Sequence, residues 1–143
     1  MSHEDTVGVQ ELIARFANSF DVKDWEALRG CLAQSVYTDY SDLRGTPPVA
    51  VTSQEYVRSR RESLEDVITH HLAGNYEIEY QGDHAATCRA SMIIWRKAGE
   101  EQFTTHCVYL FRLEKPASDW QISGITQKVL WNEGNPDIHP GAR

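Results

Sequence analysis

Apolar positions between residues 5 and 20 fall at Leu12, Ile13, Phe16, Ala17 and Phe20, with Glu11, Arg15 and Asn18 between them. That spacing predicts an amphipathic helix. Trp25, Leu28 and Leu32 share one face of a second helix over residues 22–33, whose end Gly30 weakens. Asp21 followed by Asp24 reads as a capping box with aspartate in place of glutamate. Asp21 is therefore either a helix cap or a carboxylate available to another partner. Residues 36–40 are β-branched and aromatic and predict a strand, and Gly45, Pro47 and Pro48 mark 41–51 as a loop. Thr52-Ser53-Gln54-Glu55 is a full capping box opening a third helix over 53–66. Its inner face is built from Val57, Leu64 and the stem of Arg60 or Arg61.

After Val67 the period becomes two. His70, Leu72, Tyr76, Ile78 and Tyr80 alternate with polar neighbours until the turn Gln81-Gly82-Asp83. Further strands are predicted over 85–97, 103–113 and 120–131, separated by Ala98-Gly99-Glu100 and Pro116-Ala117-Ser118. Strict alternation aligns His70, not His71, with Leu72 and Ile78; a bulge at Gly74 would reverse that parity. Three helices followed by four long hairpin-spaced strands imply an α+β fold with a mostly antiparallel, curved sheet. The last three strands are apolar on both faces. Cys88, Ala90, Met92 and Ile94 alternate with Ile93 and Trp95, and Cys107, Tyr109 and Phe111 with Val108 and Leu110. Helices can cover one face, so the other is expected to meet a second copy in a homo-oligomer, with His106 on that interface.

Composition narrows the function. The 143 residues fit one domain spanning 1–143, with a core over 5–132 and an irregular Gly- and Pro-containing tail over 133–143. A net charge of -7 argues against a non-specific nucleic-acid binder. No run approaches the roughly 18 apolar residues of a membrane span, and residues 1–5 carry no signal-peptide pattern; a cytoplasmic location is expected. Cys31, Cys88 and Cys107 lack C-x-x-C spacing and read as buried thiols. His70 and His71, adjacent on a strand, point to opposite faces and do not make a metal pair. Neither a metal nor a cofactor is expected. His3, His84 and His139 fall in tails or beside a turn and are expected to be solvated.

His71 suits proton transfer at neutral pH, because an ordinary histidine titrates near 6.5. The alternative is a strand-end histidine bonded to solvent or backbone. If Asp21 accepts a hydrogen bond from His71, the pair would orient the ring and hold its pKa above the ordinary value. Tyr40 is either a donor to a carbonyl or enolate oxygen or a core aromatic. Gln127, with the parity of Ile125 and Val129, is a polar group in an apolar wall.

The run from Ala17 to Arg29, with Phe20-Asp21-Val22-Lys23-Asp24-Trp25 at its centre, and the triplet Thr38-Asp39-Tyr40 resemble the opening of the scytalone dehydratase family. So do Thr69-His70-His71-Leu72-Ala73-Gly74-Asn75 and Asp119-Trp120-Gln121-Ile122-Ser123-Gly124 with Trp131. The similarity covers residues 11–132. The wider group is SnoaL-like, within the nuclear transport factor 2 superfamily, and implies a cone-shaped barrel of three helices packed in a strongly curved sheet. It also implies a tyrosine pair that polarises a carbonyl, two histidines that move protons, and an aspartate paired with histidine. Position by position, these fall on Tyr40, Asp21 and His71; the second tyrosine falls on Phe20, and the second histidine in 94–96, where none exists. Serine and asparagine positions of the family fall on Cys107 and Tyr109. Tyr109 is then a candidate for the hydroxyl that Phe20 lacks.

The resulting expectation is a cofactor-free lyase or isomerase acting on a small cyclic or aromatic carbonyl compound. Its catalytic residues would be His71, Asp21 and Tyr40. Its largely apolar pocket would be lined by Phe16, Phe20, Met92, Ile94, Cys107, Tyr109, Gln127, Val129 and Trp131. The alternatives are a polyketide cyclase and a non-catalytic binding or assembly domain of the same fold. The family resemblance implies a trimer rather than a dimer.

Overall fold

A computed structural model describes residues 2–140. Helix α1 runs His3–Asp21, longer at both ends than its apolar stripe, because Ser2 caps it by accepting from the Asp5 N–H. Its buried stripe is Val9, Leu12, Ile13, Phe16, Ala17 and Phe20, and each fully buried large side chain there contributes about 1.5–3 kcal/mol. The helix ends in a Schellman turn. Lys23 adopts a left-handed φ of 55°, while the Lys23 N–H donates to the Phe20 carbonyl and the Asp24 N–H to that of Ser19. That closure makes Asp21 the last helical residue and frees its carboxylate from capping.

The second helix, α2, is shorter than expected, Trp25–Gly30, and Asp24 rather than Asp21 caps it, accepting from the Ala27 N–H. The first strand, β1, spans Leu32–Asp39. The expected loop holds a short helix α3, Ser41–Arg44, closed by Gly45 at a φ of 71°, and an edge strand β2, Val49–Thr52. Thr52 then caps α4, Ser53–Ser63, by accepting from the Glu55 N–H. The inner residues of α4 are Tyr56 and Arg60, with Leu64 just beyond its end.

The long strands are β3 Ile68–Tyr80, β4 Ala85–Ala98, β5 Glu101–Glu114 and β6 Gln121–Gly134. The sheet order is β2-β1-β6-β5-β4-β3. Among the described residues only β1 and β6 run parallel; every other pairing is antiparallel. The end strands β2 and β3 do not pair, so the sheet curls around the helices without closing into a barrel. Within the expected irregular tail lies a 3-10 turn, Pro136–Ile138; residues 141–143 fall outside the described residues.

Two bulges decide which side chains face inward. Between Gly74 and Glu77, Asn75 and Tyr76 oppose Ala90 alone, and Asn75, not Gly74, takes the left-handed φ of 54°. His71 and Ile78 therefore share the inner face despite their odd and even numbers. On β6 the register shifts between the pairs His106↔Trp131 and Cys107↔Val129, leaving Leu130 as the extra residue. Trp131 is thereby turned outward, 51% exposed, and stacks on His106 at 4.0 Å. The convex face also exposes Ile68, Leu72, Trp95, Leu110 and Leu130. Among the described residues no helix is long and apolar enough to cross a membrane.

Candidate active site

The Asp21 carboxylate at the end of α1 meets the start of β3. Its Oδ1 accepts from His71 Nδ1 at 2.7 Å and from the Thr69 hydroxyl at 3.0 Å, and its Oδ2 accepts the His71 backbone N–H at 2.9 Å. An ionised carboxylate only accepts, so the Nδ1 of neutral His71 carries the proton. The other ring nitrogen, Nε2, is left with a lone pair. Phe20 stacks on the imidazole at 4.9 Å and 28°, helping to exclude water. His71 is buried, and its pKa lies below the ordinary histidine value. Burial is the largest cause, outweighing the Asp21 hydrogen bond, and Arg96 and His70 push the same way. The expectation of a raised pKa is thus overturned: desolvation exceeds the carboxylate's attraction.

Around His71 lies an inner cavity of about 30 Å³ whose wall includes Phe20, Tyr40, Ile94, Tyr109 and Gln127. A second cavity, about 150 Å³, lies against Thr38, Pro47, Val51 and Tyr56 and shares Tyr40, Arg44 and Arg60 with the first. The Tyr40 and Tyr56 hydroxyls share a hydrogen bond of 2.7 Å. Burial, then Tyr40, raises the pKa of Tyr56, so this phenol is protonated at neutral pH. The Arg60 guanidinium stacks over both rings at 4.6 Å.

Residues 1–126 match the SnoaL-like domain family. The chain belongs to that family. It is 34% identical to the scytalone dehydratase-like protein claB of Passalora fulva over 80 residues, which cover 56% of this chain and 45% of that one. It is 23% identical to the scytalone dehydratase PfmaJ of Pestalotiopsis fici over 93% of this chain and 76% of that one. The Kfla4162 protein of Kribbella flavida superposes with a TM-score of 0.89 at 20% identity, covering 94% of this chain and 96% of that one.

Of the residues expected in this SnoaL-like site, His71, Phe20, Tyr40, Ile94, Tyr109 and Gln127 come together at the inner cavity, with Asp21 behind His71. Phe16, Met92 and Cys107 do not reach it. Phe16 is core, edge-on to Phe20 and Phe111; Met92 is buried, and the Cys107 thiol donates to its carbonyl. Val129 is half-buried, its N–H bonded to Asp42. Trp131 lies on the opposite face, for the bulge reason above.

The wall is also not largely apolar. Arg60 and Arg96 are buried in it, Arg44 borders it, and Arg96 donates to the Thr105 hydroxyl at 2.7 Å. Arg96 shares its inward parity with Met92 and Ile94, a signal present in the sequence. Tyr56 stands four residues before Arg60, the spacing of one helix face. His139 gave no such signal. Instead of being solvated it is buried, and Arg44 Nη2 lies 3.4 Å from its Nε2. Its pKa falls to about 2 through burial and the charges of Arg96, Arg44 and Arg60, with a smaller push from His71 as that ring titrates. Burial and Arg60 lower Arg44, and burial chiefly lowers Arg96, each to about 10, leaving both charged at neutral pH. Among the described residues no group of three or more His, Cys, Asp or Glu is placed to hold a metal.

Proposed function

We propose that the chain is a cofactor-free lyase or isomerase that moves a proton next to the carbonyl of a small cyclic or aromatic compound. The observation that carries this reading is the 2.7 Å Asp21–His71 hydrogen bond, which leaves Nε2 unprotonated beside the Tyr40 hydroxyl's cavity. His71 Nε2 takes the proton from the carbon next to the carbonyl, and Asp21 stabilises the imidazolium that forms. The Tyr40 hydroxyl, with Tyr56 bonded to it, donates to the carbonyl oxygen as enolate charge builds. For dehydration, the imidazolium returns the proton to the departing hydroxyl. Arg96, close to the family's second-histidine position, stays charged and does not shuttle protons. Isomerisation and cyclisation use the same first step.

A test is incubation with 3-hydroxy-1-tetralone, whose C2–H and C3–OH are lost as water to give 1-naphthol, followed by absorbance. His71→Asn should lower kcat/KM at least 100-fold. Turnover unchanged in that variant would refute the role of His71. One observation favours the non-catalytic reading: about 30 Å³ beside His71 holds roughly one water. A ring must displace the wall formed by Arg44 and His139, and failure of any cyclic ketone to perturb the His71 signals would favour a binding domain. The exposed apolar convex face supports association of copies; a trimer, as the family resemblance implies, and a cytoplasmic location belong to the same proposal.

A further inference from the structure

Three arginines meet at this cavity with no acidic partner among the described residues. Among the described residues, the ion pairs join Asp21 to His71, Glu77 to Arg89 and Asp5 to Lys115; none involves Arg44, Arg60 or Arg96. Their surroundings are phenols, aromatic faces, the Thr105 and Ser59 hydroxyls and the His139 ring. Asp21 is occupied by His71 and Thr69, and Glu55 borders only the outer cavity. Buried cations are ordinarily paired, because isolating a charge from water is costly. Here, in a chain of net charge -7, positive charge is concentrated in one enclosed place.

The second observation is independent of charge. Among the described residues, three buried side-chain polar atoms lack a hydrogen-bond partner: Arg44 Nε, Gln127 Oε1 and His139 Nδ1. All three residues border the same inner cavity. Native structures seldom leave such atoms unmatched without reason, and three at one cavity mark where a polar ligand completes the bonding.

We infer that the cavity takes an organic acid, whose carboxylate is held among Arg44, Arg60 and Arg96. A planar carboxylate matches the paired N–H fork of a guanidinium. Arg44 Nε and the Nδ1–H tautomer of His139 supply further donors; the Gln127 oxygen accepts from a hydroxyl on the same ligand. The inference rests on the proposed function for the cavity's being a substrate site, and adds that the substrate enters as an anion.

The test compares benzoate with benzamide, its uncharged analogue of the same shape, by titration calorimetry at pH 7 and constant ionic strength. Benzoate should bind at least tenfold more tightly to the wild-type chain. Arg96→Gln and, separately, the less buried Arg44→Gln should erase that preference, whereas Arg89→Gln, on the exposed pair with Glu77, should keep it. Equal affinities for benzoate and benzamide in the wild-type chain would overturn the inference whatever the variants do. If that happens while 3-hydroxy-1-tetralone is turned over, the proton-transfer reading stands without the anion site. If benzoate is preferred but neither neutral nor carboxylated β-hydroxyketones are turned over, the anion site stands without the catalytic reading.

Discussion

His139 makes the chain acid-sensitive in a pH range where carboxylates are silent. Its pKa is about 2 in the folded chain and near 6.5 when unfolded. The unfolded state therefore binds the proton that the folded state refuses, and stability falls as pH drops below about 6.5. At pH 5.0 the gap of about 1.5 units above that pH corresponds to about 2 kcal/mol lost relative to pH 7.5. Ordinary carboxylates titrate near 4, below this window. His71, also lowered, adds loss of the same sign. The groups facing His139 are the charged Arg96, Arg44 and Arg60 and the titratable His71. Urea denaturation at pH 7.5 and 5.0, on the wild-type chain and on His139→Gln, isolates the contribution. The wild type should lose about 2 kcal/mol more between the two pH values than the variant does. Equal losses would show that His139 is solvated and that the Arg44–His139 wall of the cavity is wrong.

Other perturbations test the site and its support. Asp21→Ala leaves the His71 N–H, His71 Nδ1 and the Thr69 hydroxyl without their acceptor. Solvent reaches part of this position, so the cost should be about 2–4 kcal/mol in chemical denaturation, and a loss under 0.5 kcal/mol would contradict the network. Tyr40→Phe removes a hydroxyl donor from the cavity but keeps the ring beneath Arg60; kcat/KM should fall about 10- to 100-fold, and stability should fall by about 1–3 kcal/mol because the buried Tyr56 hydroxyl loses its partner. Gly134 holds a φ of 95°, and a Cβ there would collide with the Gln102 carbonyl oxygen. Gly134→Ala should therefore destabilise by about 2–4 kcal/mol in denaturant titration, and a neutral result would mean that β5 and β6 are paired differently at that end.

Hydrophobic period gave away the long elements because burial on one face is what makes them stable. The α1 stripe and the four long strands are legible for that reason. The short elements were hidden: α3 and β2 depend on tertiary partners within a stretch whose Gly and Pro residues read as loop. Asp21 was ambiguous because capping and pairing need the same residue type. The Schellman turn at Lys23 resolves it, and a lysine at a left-handed position carries no sequence signal of the kind glycine gives. At His71, parity pointed the wrong way until the bulge at Asn75 and Tyr76 is included. Trp131 was misplaced for the converse reason, since nothing in Val129-Leu130-Trp131 marks a bulge. Of the arginines, only the stem of Arg60 or Arg61 was read as facing inward. The burial of Arg60 and Arg96 follows from where α4 and β4 aim them; helical spacing gave notice for Arg60, and inward parity with Met92 and Ile94 for Arg96.

The central claim is that a neutral His71, protonated on Nδ1 by its bond to Asp21, presents Nε2 as a base. Long-range proton–nitrogen correlation spectra of the 15N-labelled chain, recorded from pH 8 to pH 5, read this state directly. The account predicts that at pH 7 Nδ1 carries a slowly exchanging proton, Nε2 carries none, and the ring titrates below 6.5. An imidazolium at pH 7, or a neutral ring protonated on Nε2, would contradict it.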